Sequence, residues 1–259
     1  MKPTASATVI NEVFRRAYER GERPALVDLR GGHVHGYRRL VTEVTRAASG
    51  LVRAGARRGQ VVGVHVSTAG AQTLAVHTVL AAGGVAAPLD PELDTGRLAA
   101  RLRECGARAL ITTPDLAATA ARAAEAARVR QLVSFGAAPG ALDFRALLTL
   151  EPTALPPVHA RHQTALLLAG GAPPARRLSH AELLATMAEL DRPVRLRESD
   201  VVLITRRPGG DADLVALIGL ILWRGALVVA SGGLELPDTR RDFGVTVAEA
   251  PGGGLERVG

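Results

Sequence analysis

The amino-acid sequence predicts an α/β fold with largely parallel sheets flanked by helices, arranged as two similar αβ halves. Short apolar runs of strand length alternate with longer segments of helical periodicity along most of the chain. The stretch from Val61 to Leu89 contains no Asp, Glu, Lys or Arg, which is typical of strands and helices that are covered on both faces. A strand–helix–strand pattern over Val61–Ala87 recurs over Val201–Val229, with small residues before each second strand. This repeat indicates two topologically similar units rather than a solenoid.

The first αβ unit is predicted over residues 1–135. Its helices follow from apolar residues at three- and four-residue spacing, and glycines such as Gly21, Gly55 and Gly106 end them because glycine adopts the left-handed conformation of a helix C-terminus without strain. Its strands are short runs of aliphatic and β-branched residues. In chain order we predict a helix at Val9–Tyr18, a strand at Pro24–Leu29, a helix at Leu40–Val52, a strand at Val61–Val66, a helix at Ala69–Ala82, a strand at Val85–Leu89, a helix from Asp94 or Thr95 to Arg103, a strand at Ala109–Thr112, an Ala-rich helix after Pro114 and a strand at Gln131–Phe135.

Residues 136–162 are rich in Pro, Gly and Ala, and we predict a loose, linker-like connection there. It leads to a second αβ unit at 163–259, which has a Gly-rich tail. In that unit, Ser179 followed three residues later by Glu182 has the form of a capping box, which starts a helix. The predicted elements are a strand at Thr164–Leu168, a helix to about Leu190, a strand at Val201–Thr205, a helix at Leu214–Trp223 and a strand at Gly225–Val229.

Composition excludes several classes of function. The 259 residues are 47% hydrophobic and carry a formal charge of +7, which fits globular units with ample core and argues against disorder. Cys105 is the only cysteine, so an internal disulfide and a cysteine-based metal cluster are excluded. Lys2 is the only lysine, which excludes chemistry that needs a buried lysine of this chain. Arginines are interleaved with acids and aromatic residues are scarce at 3%, which argues against a nucleic-acid partner.

The sequence also argues against targeting to a membrane. Its first residues contain no apolar signal-peptide region. The apolar runs at Val61–Leu89 and Leu214–Trp223 fit buried αβ segments better than membrane spans, because the first is interrupted by polar residues and the second is too short. We therefore expect a cytoplasmic protein without a membrane partner.

Several blocks of residues follow one another in a recognisable order. The block LAAGGVAAPLDP at Leu80–Pro91 is similar to the pattern L-x-A-G-A-x-x-x-P-L-D-P. With their neighbours these blocks resemble adenylate-forming enzymes, the family of acyl- and aryl-CoA ligases, peptide-synthetase adenylation domains and luciferases. The resemblance covers about residues 8–250 and implies the first half of that family's large domain, in a truncated form. The other matching blocks are Gly36–Leu40 with Ala47–Leu51, Arg97–Thr112, and Asp200–Leu203 with Gly225–Val229.

The same resemblance locates a phosphate loop before His180, where the chain departs from the family pattern. The family reads approximately S-G-T-T-G-x-P-K-G-V-x-x-T-H, whereas the residues from Leu167 to His180 read LLAGGAPPARRLSH. The hydroxyl positions hold Leu167, Ala169 and Gly170, and the lysine position holds Pro174. Such a loop works through hydroxyl and backbone donors and an ammonium charge, so we expect its ATP binding to be severely weakened. The candidate nucleotide-binding residues that remain are Gly170, Gly171, Arg176 and Arg177, and either arginine could restore a positive charge with altered geometry.

A second departure follows Thr205. Ligases of the family commonly carry L-P-x-F-H there, whereas this chain carries RRPGGDAD at Arg206–Asp213. The catalytic residues are left open, and the candidates are Arg206, Asp211, Asp213 and His180, because they fall where the resemblance places the substrate and nucleotide loops. A solvated loop or a helix N-terminus is the better explanation of the two aspartates.

Two histidine pairs are possible metal ligands. His33 and His35 lie on one face of a predicted hairpin strand, and His159 and His162 lie in the predicted connection. His159 and His162 have no third ligand nearby in sequence, and two histidines on one strand are only a weak indication of zinc, so we expect no metal site. We expect no cofactor either, with ATP and Mg²⁺ bound only if the altered loop still holds nucleotide.

Two functions remain open at this point. The first is a degenerate accessory protein of a biosynthetic pathway that does not adenylate alone and that binds a second copy of itself, a complete ligase or a carrier-protein enzyme. The alternative is an enzyme, either one half of a split ATP-dependent carboxylate ligase or a catalyst of acyl transfer, hydrolysis or cyclisation without ATP. The sequence names no substrate for either.

Overall fold

Two β-sheets with helices between and outside them make up the computed structural model, which describes residues 8–149, 153–156, 158, 162–170, 175–210, 212–234, 237–250 and 254–258. The strands are β1 (Pro24–Asp28), β2 (His33–Gly36), β3 (Val61–His65), β4 (Val85–Pro88), β5 (Ala109–Thr112), β6 (Gln131–Ser134), β7 (Leu142–Asp143), β8 (Thr164–Leu168), β9 (Arg176–Ser179), β10 (Val201–Ile204), β11 (Leu227–Ala230), β12 (Val247–Glu249) and β13 (Leu255–Arg257). The helices are α1 (Val9–Val13), α2 (Ala17–Arg20), α3 (Tyr37–Arg53), α4 (Ala69–Ala81), α5 (Thr95–Cys105), α6 (Ala117–Ala126), α7 (Phe144–Thr149), α8 (His180–Asp191), α9 (Ala212–Arg224) and α10 (Thr239–Asp242), with a 3₁₀ turn at Pro114–Leu116.

The two sheets are mostly parallel, as the alternation of strands and helices predicts. One has the strand order β13-β12-β10-β11-β1-β2 and the other β7-β6-β5-β3-β4-β8-β9. Strands β2, β9 and β13 run antiparallel to their neighbours. The predicted fold class is therefore confirmed. Each sheet takes strands from both sides of the 136–162 connection. The predicted units at 1–135 and 163–259 therefore do not correspond to the two sheets, and their existence as units stays a prediction.

Helices α4 and α9 lie in the core that the two sheets share. Every residue of α4 is buried, and so is the stretch of α9 from Leu214 to Trp223. A helix that is apolar all round has no solvent face, so its sequence alone predicts this placement. Helix α3 packs on α4, and α8 packs on α9. Among the helices that the structure describes, none is both long and apolar enough to cross a bilayer.

Local sequence signals are confirmed at several helix ends. Ser179 and Glu182 form the predicted capping box at the start of α8. Asp94 accepts a hydrogen bond from the Arg97 N–H at the start of α5, and Gly106 ends that helix in the left-handed conformation. The rings of His33 and His35 stack with centroids 6.3 Å apart on one face of β2.

Other predictions need correction. The helix expected at Val9–Tyr18 is two short helices, because the chain turns between Phe14 and Arg16. The connection expected at 136–162 includes β7 and α7, and α7 packs on α3. Elements α10, β12 and β13 extend the second unit beyond the last strand that the sequence predicts.

Candidate functional site

The segment Thr205–Gly210 lies where the carboxyl ends of strands from both sheets meet. The Gln72 side-chain amide of α4 donates to the Gly209 carbonyl at 3.0 Å. A side chain at Gly210 would come within 3.3 Å of the Pro88 carbonyl oxygen, at the end of β4, and within 4.0 Å of the Ala169 carbonyl oxygen, just after β8. We call this meeting point the inter-sheet crevice and define it by residues 88–92, 169–170 and 205–210. It is the place where parallel strands present ligand-binding loops.

A buried carboxylate, Glu249, holds the start of this segment. Its side chain is only 7% exposed and it lies at the end of β12. Its Oε2 accepts hydrogen bonds from the Thr205 N–H at 2.6 Å, the Thr205 hydroxyl at 3.1 Å and the Arg206 N–H at 3.1 Å. Its Oε1 forms an ion pair with the Arg206 guanidinium. The candidate Arg206 is therefore a partner of Glu249, a residue that no sequence motif singles out.

Arg207 joins the two sheets across the inter-sheet crevice. Its Nη1 forms an ion pair at 2.6 Å with Oε1 of Glu92, which follows β4, and both side chains are exposed. The arginine stem packs over Gly233, where an added Cβ would lie 2.8 Å from Arg207 Nε. The charge of Arg207 is thus balanced by a carboxylate of the opposite sheet.

The strands that flank the phosphate loop form a hairpin, with Arg176 paired to Leu168 and Arg177 paired to Leu167. Leu167, at a family hydroxyl position, is 2% exposed and packs with Val85 and Cys105. Position 171, predicted to contact nucleotide, lies outside the described residues.

Among the residues that the structure describes, the contacts of Arg176 and Arg177 lead away from the phosphate loop, whose positions 171–174 lie outside the described ranges. The pKa of Glu182 lies below its ordinary value, chiefly because the Ser179 N–H donates to it, and the charge of Arg176 contributes. The charge of Arg176 therefore acts on Glu182, at the start of α8. Arg177 lines a separate depression with Arg58 and Gln163, near the beginning of β8.

A cation that does reach the loop comes from α5. Gly170 has a φ of +113°, which favours glycine, and an added Cβ there would lie 3.4 Å from Arg101 Nε. Arg101 in turn forms an ion pair with Glu104 at 2.8 Å, one turn further along α5. Arg101 is not among the candidates predicted from the sequence, because nothing in the helical pattern of α5 distinguishes it from the other arginines of that helix.

The remaining candidate residues are distributed elsewhere. His180 is fully buried, and its Nδ1 accepts a hydrogen bond from the Val9 N–H at 3.4 Å. Burial lowers the pKa of His180 to about 4, so the ring is neutral near pH 7 and links α8 to α1. Asp213 is exposed in the first turn of α9, and position 211 lies outside the described residues. The structure does not bring His180 to the solvent, where a substrate could reach it.

The described ranges contain no group of three His, Cys, Asp or Glu side chains that could hold a metal ion. His162 lines the same depression as Arg177, whereas position 159, its predicted partner, lies outside those ranges.

Replacing Glu249 with alanine is expected to lower the free energy of unfolding by about 1–2 kcal/mol, because the Thr205 and Arg206 donors would lose an acceptor although water can partly replace it. Chemical denaturation followed by circular dichroism measures this change. Glu92→Ala is the matched control, since it removes a carboxylate from an exposed ion pair and is expected to cost less than about 1 kcal/mol. Equal effects of the two variants would contradict the holding role of Glu249.

Known proteins share the sequence pattern and the fold of this chain. The chain matches the family model for AMP-binding enzymes over residues 13–251. It is 35% identical to a plipastatin synthase chain of Bacillus subtilis (strain 168) over 80 residues, which are 31% of this chain and 3% of that protein. Two solved structures illustrate the similarity in fold.

The first is a long-chain-fatty-acid CoA ligase from Rhodopseudomonas palustris CGA009, with a TM-score of 0.83, 21% identity, and coverage of 95% of this chain and 63% of the ligase chain. The second is a red-emitting luciferase from Phrixothrix hirtus, with a TM-score of 0.82, 12% identity, and coverage of 92% of this chain and 49% of the luciferase chain. The present chain thus spans between about half and two thirds of these solved chains and corresponds to their N-terminal portion.

Proposed function

This chain belongs to the AMP-binding enzyme family, and we propose that it is a member that does not adenylate a substrate by itself and that acts through a protein partner in a biosynthetic pathway. The proposal concerns these 259 residues. It rests on the chemistry of the phosphate loop and of the inter-sheet crevice.

The observation that carries the proposal is the poor fit of the loop to Mg·ATP. The position of one family hydroxyl holds Leu167, which is packed into the apolar face of its sheet. Ala169 and Gly170 offer no hydroxyl, and Pro174 offers neither an ammonium group nor a backbone N–H. Triphosphate binding depends on such donors and on positive charge. We therefore derive no reaction step through ATP.

The charges around the crevice support the same proposal. Arg206 is paired with Glu249, Arg207 with Glu92 and Arg101 with Glu104. A triphosphate would have to compete with each of these carboxylates for its cation. Those pairs therefore lower the net positive charge available to an anionic nucleotide.

The partner that we propose is a second copy of the chain, a complete ligase or a carrier-protein enzyme. The relative from Bacillus subtilis is named as part of a synthase, which supports a place in biosynthesis. We place the protein in the cytoplasm as part of this proposal.

Calorimetric titration with Mg·ATP tests the proposal. We expect no binding heat up to about 1 mM nucleotide, because the loop lacks its phosphate donors. The double variant Ala169→Thr, Pro174→Lys is the matched control, because it restores a hydroxyl and an ammonium group without disturbing Leu167 or Gly170, and it is expected to gain measurable affinity. Micromolar binding by the natural chain would overturn the proposal and would favour one half of a split ligase. Loss of that binding in Arg101→Ala or Arg176→Ala would identify the arginine that replaces the missing lysine.

The partner is tested by light scattering of the purified chain alone and after mixing with ligases and carrier-protein enzymes of its host. A stable dimer or one defined complex is expected. A monomer that binds none of them would contradict the accessory function.

A further inference from the structure

We propose that a cleft between the β1–β2 hairpin and α7 binds small ammonium compounds that carry an aromatic or aliphatic body. The cleft has a volume of about 600 Å³, enough for a small organic molecule. We call it the hairpin cleft. None of the residues that define the inter-sheet crevice lines it, and the inference does not depend on the proposed function.

The topology of the seven-stranded sheet places the hairpin cleft where a ligand site is expected. The chain leaves β3 toward α4, which lies in the core shared by the two sheets. It leaves the neighbouring strand β5 toward α6, which belongs to a separate apolar cluster on the opposite face of this sheet. Neighbouring parallel strands whose connections leave to opposite faces open a crevice at their carboxyl ends. Ser67, which follows β3, and Thr113, which follows β5, both line the hairpin cleft.

One wall of the cleft is apolar and partly aromatic. The rings of Phe135 and Phe144 stack with centroids 4.2 Å apart at an interplanar angle of 25°. Leu74 of α4 and Leu148 of α7 lie beside them in the lining. Such a wall accommodates a phenyl ring or a short alkyl chain.

The opposite wall contains a carboxylate beside a buried histidine. His35 is 7% exposed, and its Nδ1 lies 3.5 Å from Glu43 Oε2, so the ring and the carboxylate face each other. Glu43 also accepts from Arg39 Nε at 2.9 Å. Although burial opposes it, hydrogen bonds from His35 and Arg39 hold the pKa of Glu43 below its ordinary value, so this carboxylate is ionised near pH 7. An ionised carboxylate has lone pairs for more than two donors, so a ligand ammonium group can bind Glu43 beside Arg39 and His35.

The charges in the lining favour a cation over an anion. Three carboxylates line the cleft, and one of them, Asp28, is buried and accepts from the Gly31 and Gly70 N–H groups. The other two are Glu43 and Asp115. The cations in the lining, Arg39 and Arg145, are both exposed. An anion near His35 would be repelled by Glu43, whereas an ammonium group would bind it and could also contact the aromatic wall.

The test compares 2-phenylethylamine with 3-phenylpropanoate, which has a similar shape and the opposite charge. Binding is measured by calorimetry and by the NMR signal of the His35 ring. We expect the amine to bind with a millimolar Kd, as suits so small a molecule, and at least about tenfold more tightly than the carboxylate. Glu43→Gln is expected to weaken amine binding about tenfold, whereas Glu104→Gln, on α5 outside the cleft, leaves it unchanged.

A second variant keeps the test decisive if Glu43→Gln fails to fold. Leu148→Trp fills the cleft without changing its charge, and we expect it to abolish amine binding while the circular dichroism spectrum stays that of the natural chain. Tighter binding of 3-phenylpropanoate, equal binding of the two probes, or no shift of the His35 signal up to about 10 mM amine would each overturn the proposal.

Discussion

Acidification from pH 7 to pH 5 is expected to lower the free energy of unfolding by about 6 kcal/mol. Three buried histidines stay neutral in the native state, whereas they bind a proton in the unfolded chain. Burial lowers the pKa of His65, His77 and His180 to about 4 each. A loss of this size is comparable with the whole stability of an ordinary domain, so acidification to pH 5 is expected to destabilise the fold strongly.

The sign follows from where the protons bind. Above pH 6.5 each histidine is neutral in both states, and the stability does not depend on it. Between pH 6.5 and about 4 the unfolded chain binds the proton while the native state does not, so stability falls as pH falls. Each group contributes about 1.4 kcal/mol per pH unit in this window, and the three together about 4 kcal/mol per unit.

Guanidinium denaturation at pH 7.5, 6.5 and 5.5 measures this dependence. His77→Gln is the informative variant, because the natural ring hydrogen-bonds the Thr73 carbonyl oxygen at 2.7 Å and packs edge-on against Phe14. We expect it to lower stability at pH 7.5 and to reduce the pH slope by about one third. The exposed His33→Gln should change neither quantity. An unchanged slope in His77→Gln would contradict a role for this buried ring in the acid sensitivity.

Replacing Gly50 with alanine is expected to destabilise the fold by about 2–3 kcal/mol, although Gly50 lies inside helix α3. Helix propensity alone predicts the opposite sign, a gain of up to about 1 kcal/mol. The structure reverses this expectation because an added Cβ would lie 2.2 Å from the Leu147 carbonyl oxygen and 2.7 Å from its Cα. Both are backbone atoms of α7, so no side-chain rotation relieves the clash.

Thermal and chemical unfolding of Gly50→Ala check this prediction, with Gly96→Ala as the matched control. At Gly96, in the first turn of α5, an added Cβ meets only a carboxylate oxygen of Asp94 at 3.4 Å, and the substitution is expected to be neutral or stabilising. Because α7 lines the hairpin cleft, Gly50→Ala should also weaken the binding of 2-phenylethylamine there. Equal stabilities of the two alanine variants would show that α3 and α7 do not approach as closely as described.

The sequence predicts those features whose determining residues lie within a few positions of one another along the chain. The charge-free residues of α4 indicate a buried helix, and Ser179 with Glu182 indicates a helix start, since both signals lie within a few positions of the feature they predict. It cannot predict that β1 pairs with β11, because short aliphatic strands carry no information about which partner they choose.

The candidate site shows the same limit. Arg206 is identifiable from its departure from a family motif, whereas its partner Glu249 lies 43 positions away and is one acid among many in the sequence. Arg101 likewise becomes notable only when the fold places it beside Gly170. Helix α7 escapes prediction because it is a short element within a stretch rich in Pro, Gly and Ala.

The pairing of β1 with β11 has a consequence for synthesis of the chain on the ribosome. The hairpin β1–β2 emerges early, but its sheet neighbour β11 follows about two hundred residues later. At the usual rate of 5–20 residues per second, the hairpin waits roughly 10–40 s without its partner. During that interval the backbone groups of β1 that later bond to β11 are open to other chains, so the β1–β2 hairpin is the segment that a chaperone shielding nascent strands would have to cover.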